Sequence, residues 1–150
     1  MEAGRPEREP GPPALVPELL VGSLQASLAF WRDLCGFEVR YDRKEEGFAY
    51  LFGYGAHLML EEAGIGRNWL TGPLDRPLGR GINLQIAVPR IDHVVQRLEQ
   101  AGWPLFMRPE VKWYRTGETR AGVTQFLVQD PDGYLVRFQA SFEGLGTVDG

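Results

Sequence analysis

Apolar and polar positions alternate over residues 15–21, where Leu15, Pro17, Leu19 and Val21 share one parity and Val16, Glu18 and Leu20 the other. The pattern predicts a strand, and Pro17, which has no N–H to give, suits its start or an edge. Ser23 can cap a helix. Leu24, Leu28, Trp31 and Leu34 then recur at helical spacing until Gly36, so a helix is predicted over 24–35. Residues 37–41 alternate as a strand, 42–47 form a charged turn, and 48–52 and 57–61 read as a hairpin around Gly53-Tyr54-Gly55. A connection of about 20 residues rich in Gly and Pro follows at 62–81, and connections of that length are usually functional or linking. The pattern then starts again. Residues 82–88 read as a strand, and Ile91, Val94, Val95 and Leu98 mark a helix that ends at Gly102. A short strand at 104–107, an irregular stretch at 108–122, a strand at 124–128, the turn Asp130-Pro131-Asp132-Gly133 and a strand at 134–139 complete the chain.

The order βαβββ therefore occurs twice. The segments 21–37 and 88–103 share a strand end, a helix stripe and a glycine followed by an aromatic residue. Two such units imply an α+β protein of tandem βαβββ modules forming a curved mixed sheet. The divisions are an arm at 1–13, a first module at 14–61, a linker at 62–81, a second module at 82–142 and a tail at 143–150. The arm carries four prolines and little that could bury.

Alternation also sorts the strand residues by face. One face is apolar and must carry the helices. The other collects Glu18, His57, Glu61, Asn83, Gln85, Arg137 and Gln139. Two readings fit: a wet outer face of an ordinary antiparallel sheet, or a concave surface that holds a ligand. Phe48, Tyr50, Trp69, Trp113 and Tyr114 fall on or beside the segments that would rim such a concavity, with Arg115 adjoining. Aromatic walls with a few polar groups suit a small-molecule site. Glu18 and Arg137 are expected to approach each other or a shared ligand.

Composition narrows the classes. The chain has 150 residues and a net charge of −4, from 16 basic and 20 acidic side chains. The basic residues make no stripe, so nucleic acid is not an expected partner. No apolar run approaches the roughly 20 residues that span a bilayer, and no secretion signal is legible, so no membrane is expected. The single Cys35 suits a reducing cytoplasm and reads as core filler. Two histidines and one cysteine support no nucleophilic triad.

Val21-Gly22-Ser23-Leu24, Leu34-Cys35-Gly36-Phe37 and above all Asp130-Pro131-Asp132-Gly133-Tyr134 resemble the vicinal oxygen chelate superfamily over about residues 15–140. That superfamily includes glyoxalases, extradiol dioxygenases and bleomycin resistance proteins. The resemblance implies paired modules curled into a cup. In its metal enzymes the ligands come from the first, fourth, fifth and eighth strands, and those places hold Val16, Met59, Asn83 and Arg137 here. This set offers no imidazole or carboxylate and one fixed cation, so neither metal nor cofactor is expected. His57 and Glu61 lie about 13 Å apart along one strand and do not replace it.

The bleomycin resistance branch, without a metal set, resembles the chain better. It implies an antibiotic-resistance-type binding protein, not an enzyme: a cytoplasmic homodimer that sequesters a planar aromatic ligand, including a cationic one, in a groove at the dimer interface. Phe48 matches an aromatic that stacks on the ligand in that branch. Glu45 and Glu46 suit a cation, and a second stacking tryptophan falls on Gly122, for which Trp113 is the substitute. The expected ligand set is Glu18, Phe48, Tyr50, Trp69, Asn83, Gln85, Trp113, Tyr114, Arg115 and Arg137. Two alternatives stay open: a metal-dependent glyoxalase- or dioxygenase-type enzyme, and a metal-independent enzyme with Glu18 or Glu61 as general base.

Overall fold

The computed structural model describes residues 13–142; the expected arm, apart from Pro13, and the expected tail lie outside the described residues. The first half holds β1 (Glu18–Val21), α1 (Leu24–Leu28), β2 (Glu38–Arg43), β3 (Phe48–Gly53) and β4 (Ala56–Glu62). The second holds β5 (Asn83–Ala87), α2 (Asp92–Gln100), β6 (Leu105–Thr116), β7 (Thr119–Gln129) and β8 (Leu135–Ser141). Each half makes one four-stranded sheet, ordered β1-β4-β3-β2 and β5-β8-β7-β6. In both, the opening strand pairs parallel with the closing strand and the other pairings are antiparallel. The βαβββ repeat thus exists as topology.

Four local readings need correction. The opening strand is shorter than 15–21, because the N–H-free Pro17 lies at its entry and uses only its carbonyl, which accepts from Met59 N at 2.9 Å. The helix over 24–35 is α-helical only to Leu28, with Ala26 N donating to the Ser23 cap at 3.2 Å. Over Ala29–Leu34 it widens to a π-helix, in which Cys35 N donates to Phe30 O at 2.9 Å. The wider turn lets Phe30 and Trp31, adjacent in sequence, both enter the core. Residues 42 and 43 extend β2 through a register shift between Val39 and Tyr41.

The largest correction concerns 108–122. It is not irregular: β6 and β7 form a long hairpin closed at Gly117, whose φ is +72°. Most of β6 is exposed, so selection for alternation is weak there, and two register shifts break what pattern remains.

The helix-bearing faces share a single core. Leu19, Trp31 and Leu60 pack in the same cluster as Val94, Leu98, Phe126 and Phe138. Cys35 belongs to it, fully buried, and burial pushes its thiol well above the ordinary range. At the seam the 130–134 turn reaches into the first half. Asp130 Oδ1 accepts from Asp132 N and Tyr134 N, and its Oδ2 from Trp31 Nε1 at 3.3 Å. Asp132 Oδ1 accepts from Gly22 N at 2.9 Å and from Arg76 Nη2 at 2.7 Å. The Tyr134 hydroxyl donates to Leu20 O at 2.9 Å. Burial lifts the Asp130 carboxyl to about 6, against the pull of its N–H donors. Its proton favours the folded state, a contribution present below the ordinary carboxyl range and lost as pH rises through 6.

Asp132→Ala removes the acceptor for Gly22 N and Arg76 together. We expect a loss of about 2 kcal/mol, roughly 4–8 °C in Tm, with Asp132→Asn losing less because it keeps an acceptor oxygen; thermal melts at pH 7 check both.

Candidate functional site

The face of the first sheet away from the core is built by parity. In-register neighbours place Glu18 beside Met59, Met59 beside Tyr50, and Tyr50 beside Tyr41. One pleat further along, Glu61 lies beside Phe48, and Phe48 beside Arg43. The rings of Tyr41 and Tyr50 stack at 5.1 Å with an interplanar angle of 13°. The Tyr50 hydroxyl and His57 Nδ1 are 2.6 Å apart. Phe48 is only 5% exposed because the Arg43 guanidinium covers its ring at 4.0 Å. Arg43 is held there by Glu46 at 2.7 Å.

The connection after β4 folds back over this face. A side chain at Gly66 would meet Glu61 Oε1 at 2.9 Å, so the backbone passes directly above the carboxyl. Trp69 follows, 74% exposed, with the Arg67 guanidinium 5.4 Å from its ring centre. The result is a cleft of about 410 Å³ among Glu18, Arg43, Phe48, Glu61, Arg67 and Trp69. The Glu18 and Glu61 carboxyls sit within hydrogen-bonding reach of one another. Glu18 is raised above the usual carboxyl range, first by burial, then by its hydrogen bond to Glu61 and the like charge there; Arg43 opposes the shift.

The corresponding face of the second sheet has a different chemistry. Gln85 pairs with Arg137, and Gln139 with Gln125. Arg137 Nη2 donates to Gln85 Oε1 at 2.7 Å. The buried Gln125 donates to Glu110 at 3.0 Å and meets the Tyr114 hydroxyl. A narrower cleft of about 230 Å³ opens where the two sheets meet, bounded by Pro17 and His57 on one side and Asn83 and Gln85 on the other.

Of the residues expected at a ligand site, the structure brings Glu18, Phe48, Tyr50 and Trp69 to the first sheet's open side. Asn83, Gln85, Arg137 and Tyr114 belong to the second sheet's. Trp113 and Arg115 belong to neither. In register with Gly122 and Arg120, they project to the opposite, helix-bearing side. There Trp113 lies over Gly122, within 2.7 Å of where a Cβ would stand, and stacks on Phe142 at 6.1 Å. Glu18 faces Glu61 and not Arg137, because β1 pairs with β4 while Arg137 is on β8 in the other sheet. Glu61, Arg43, Glu46 and Arg67 complete the cleft. Glu61 was legible on the polar parity; Arg43 was hidden by the register shift in β2.

The family model for the glyoxalase/bleomycin resistance protein/dioxygenase superfamily matches residues 15–138. The chain belongs to this superfamily. Among solved structures it is similar to a superfamily member from Vibrio splendidus 12B01, at 36% identity over 83% of this chain and 95% of that one, with a TM-score of 0.39. It is also similar to TioX from Micromonospora sp. ML1, at 19% identity over 85% and 98% of the two chains, with a TM-score of 0.66. For a lactoylglutathione lyase from Agrobacterium tumefaciens the values are 18%, 87% and 95%, and 0.55. No curated protein matches the sequence.

The four strand positions that carry ligands in the superfamily's metal enzymes hold Val16, Met59, Asn83 and Arg137 here. Val16 has no donor atom, Met59 offers a thioether, and Arg137 presents a cation already bonded to Gln85. Among the described residues no group of three His, Cys, Asp or Glu side chains could hold a metal ion. These residues do not fit a divalent cation, and no chemical step is assigned to one.

The raised Glu18 carboxyl has a signed consequence. Its proton supports the folded state below the ordinary carboxyl range, and that support is lost as pH rises through the folded-state value. Glu18→Gln should therefore melt about 1–3 °C above the parent at pH 8, since the amide can still donate to Glu61, and the gap should close on acidification to pH 4.

Proposed function

We propose that the chain is a small-molecule-binding member of the superfamily, similar to its bleomycin resistance branch, and that it takes a planar aromatic cation into the cleft over the first sheet. It does this without a metal or cofactor. The observation that carries the reading is the pairing of two acidic groups with aromatic rings on which planar cations already rest: Arg43 over Phe48 and Arg67 over Trp69. A ligand cation would take the place of these guanidinium groups and find the Glu18–Glu61 pair beneath it, a combination of ring faces and charge that is stronger in a partly dry cleft than in water. Because it competes with the proton that the raised Glu18 carboxyl holds, its affinity should rise with pH. The working unit on this reading is a cytoplasmic homodimer, in which the partner completes the groove.

The lifted Glu18 carboxyl supports one other reading, a metal-independent enzyme with Glu18 as general base. Such an enzyme would lose turnover of a carbonyl substrate on Glu18→Gln, whereas the binding protein would lose only cation affinity.

Bleomycin and 9-aminoacridine are suitable probes. A true ligand at 100 times its Kd adds about 2.7 kcal/mol of stability in a thermal-shift experiment. Trp69→Ala should weaken 9-aminoacridine about 5–10-fold, and an uncharged acridine should bind less well than the cation. Absence of any shift with either probe overturns the reading. Gel filtration at micromolar concentration should give twice the 16.9 kDa chain mass, and a monomer would remove the dimer from it.

A further inference from the structure

The narrow cleft between the sheets differs from the site over the first sheet in both lining and charge. Trp31, Phe37, Leu58 and Ile86 form apolar walls, and the polar groups are Asn83 and Gln85 on the β5 side and His57 on the β4 side. Its volume, about 230 Å³, exceeds the roughly 150 Å³ that accepts a benzene ring. It falls short of the roughly 300–1,000 Å³ typical of drug-sized ligands. One ring or a short branched chain fills it.

Arg137 stands one hydrogen bond from this cleft, through Gln85. The bond orients the guanidinium without neutralising it, because the acceptor is an uncharged amide oxygen. Among the described residues no carboxylate forms an ion pair with Arg137. Its Nε is shielded from water yet has no hydrogen-bond partner. A shielded donor without an acceptor is uncommon in folded proteins and points to a missing partner. The guanidinium fork matches a planar carboxylate, and the amides of Asn83 and Gln85 supply further donors. One cation among neutral amides suits a monoanion better than a phosphate dianion.

We propose that the seam between the sheets is a second binding site, for a small carboxylic acid with an apolar body. The ring or branched chain fills the space against Trp31, Phe37, Leu58 and Ile86, and the carboxylate rests on Arg137. This site does not depend on the reading of the first sheet, and neither Glu18 nor Trp69 contributes to it.

Benzoate is the probe, with benzyl alcohol and inorganic phosphate as controls. In protein labelled with ¹⁵N, benzoate should shift the Arg137 Nε–H signal saturably below about 10 mM. Benzyl alcohol should bind about tenfold more weakly, and phosphate should leave the signal in place. Arg137→Gln should lose about tenfold in benzoate affinity while still melting cooperatively. Arg137→Lys, which keeps the charge but not the fork, should recover only part of it. Ala56→Leu, which narrows the cleft and leaves Arg137 intact, should also weaken benzoate. An unmoved Nε–H signal, equal binding of benzyl alcohol, or undiminished benzoate affinity in Arg137→Gln overturns the proposal. Binding of benzoate by a protein that ignores 9-aminoacridine leaves this site standing and removes only the other.

Discussion

Asp130 and Asp132 hold the two halves of the chain together, and the placement of both open sheet faces follows from how they do so. Each half is a sheet with one helix, and neither buries its apolar face alone. The shared core supplies most of the attraction, but apolar contact is non-directional and does not choose an angle. Direction comes from the turn. Trp31 Nε1, Gly22 N and the Leu20 carbonyl all meet groups of residues 130–134, so β1 and the helix after it are fixed against the entry to β8. The approach is close at Gly22, where a Cβ would stand 2.5 Å from Arg76 Nη2 and 3.2 Å from Asp132 Oδ1 and would make the arginine side chain move.

The two faces carry opposite chemistry. The first gathers Glu18 and Glu61 among aromatic rings; the second sets Arg137 among side-chain amides. Arginine at the β8 position of a superfamily whose metal enzymes use a ligand there is more than the loss of a donor. A fixed cation repels a metal ion and recruits an anion, so the same strand position reverses the charge of what it can hold. On the first sheet, two arginines already lie on ring faces, which makes the cleft a set of weak internal contacts that a better-matched cation can replace.

Much of this was legible in residue order. Alternation assigned Glu18, Glu61, Asn83, Gln85 and Arg137 to exposed faces because each lies in a strand with one greasy side. Helix starts and stops were legible at Ser23, Gly36 and Gly102, where capping chemistry is local. The β6–β7 hairpin was not. Most of β6 and the first residues of β7 are exposed on both faces, so periodicity has little to select there. For the same reason the side on which Trp113 falls could not be read, because a side-chain direction depends on register, and register there is set by Gly117 and two bulges. The widening of the first helix was hidden too, since a single extra residue in a turn leaves the spacing of Leu24, Leu28 and Trp31 unaltered. That Glu18 meets Glu61 on one sheet while Arg137 lies on the other depends on which strands pair, and pairing between distant segments is not written in local pattern.

The connection from β4 to β5 is anchored at both ends but not between them. Ala63 N donates to Val21 O at 2.8 Å, and the Gly66 backbone passes over Glu61. At the far end Leu78 is buried, and its N–H donates to Asp132 O at 2.9 Å. Residues 70–75 between these anchors are exposed. Exposed backbone of this kind favours a protease nick. The two fragments would remain joined by the common core and the seam hydrogen bonds, each keeping one complete sheet, so a chain cut at this point would behave in solution as a non-covalent heterodimer of its own halves.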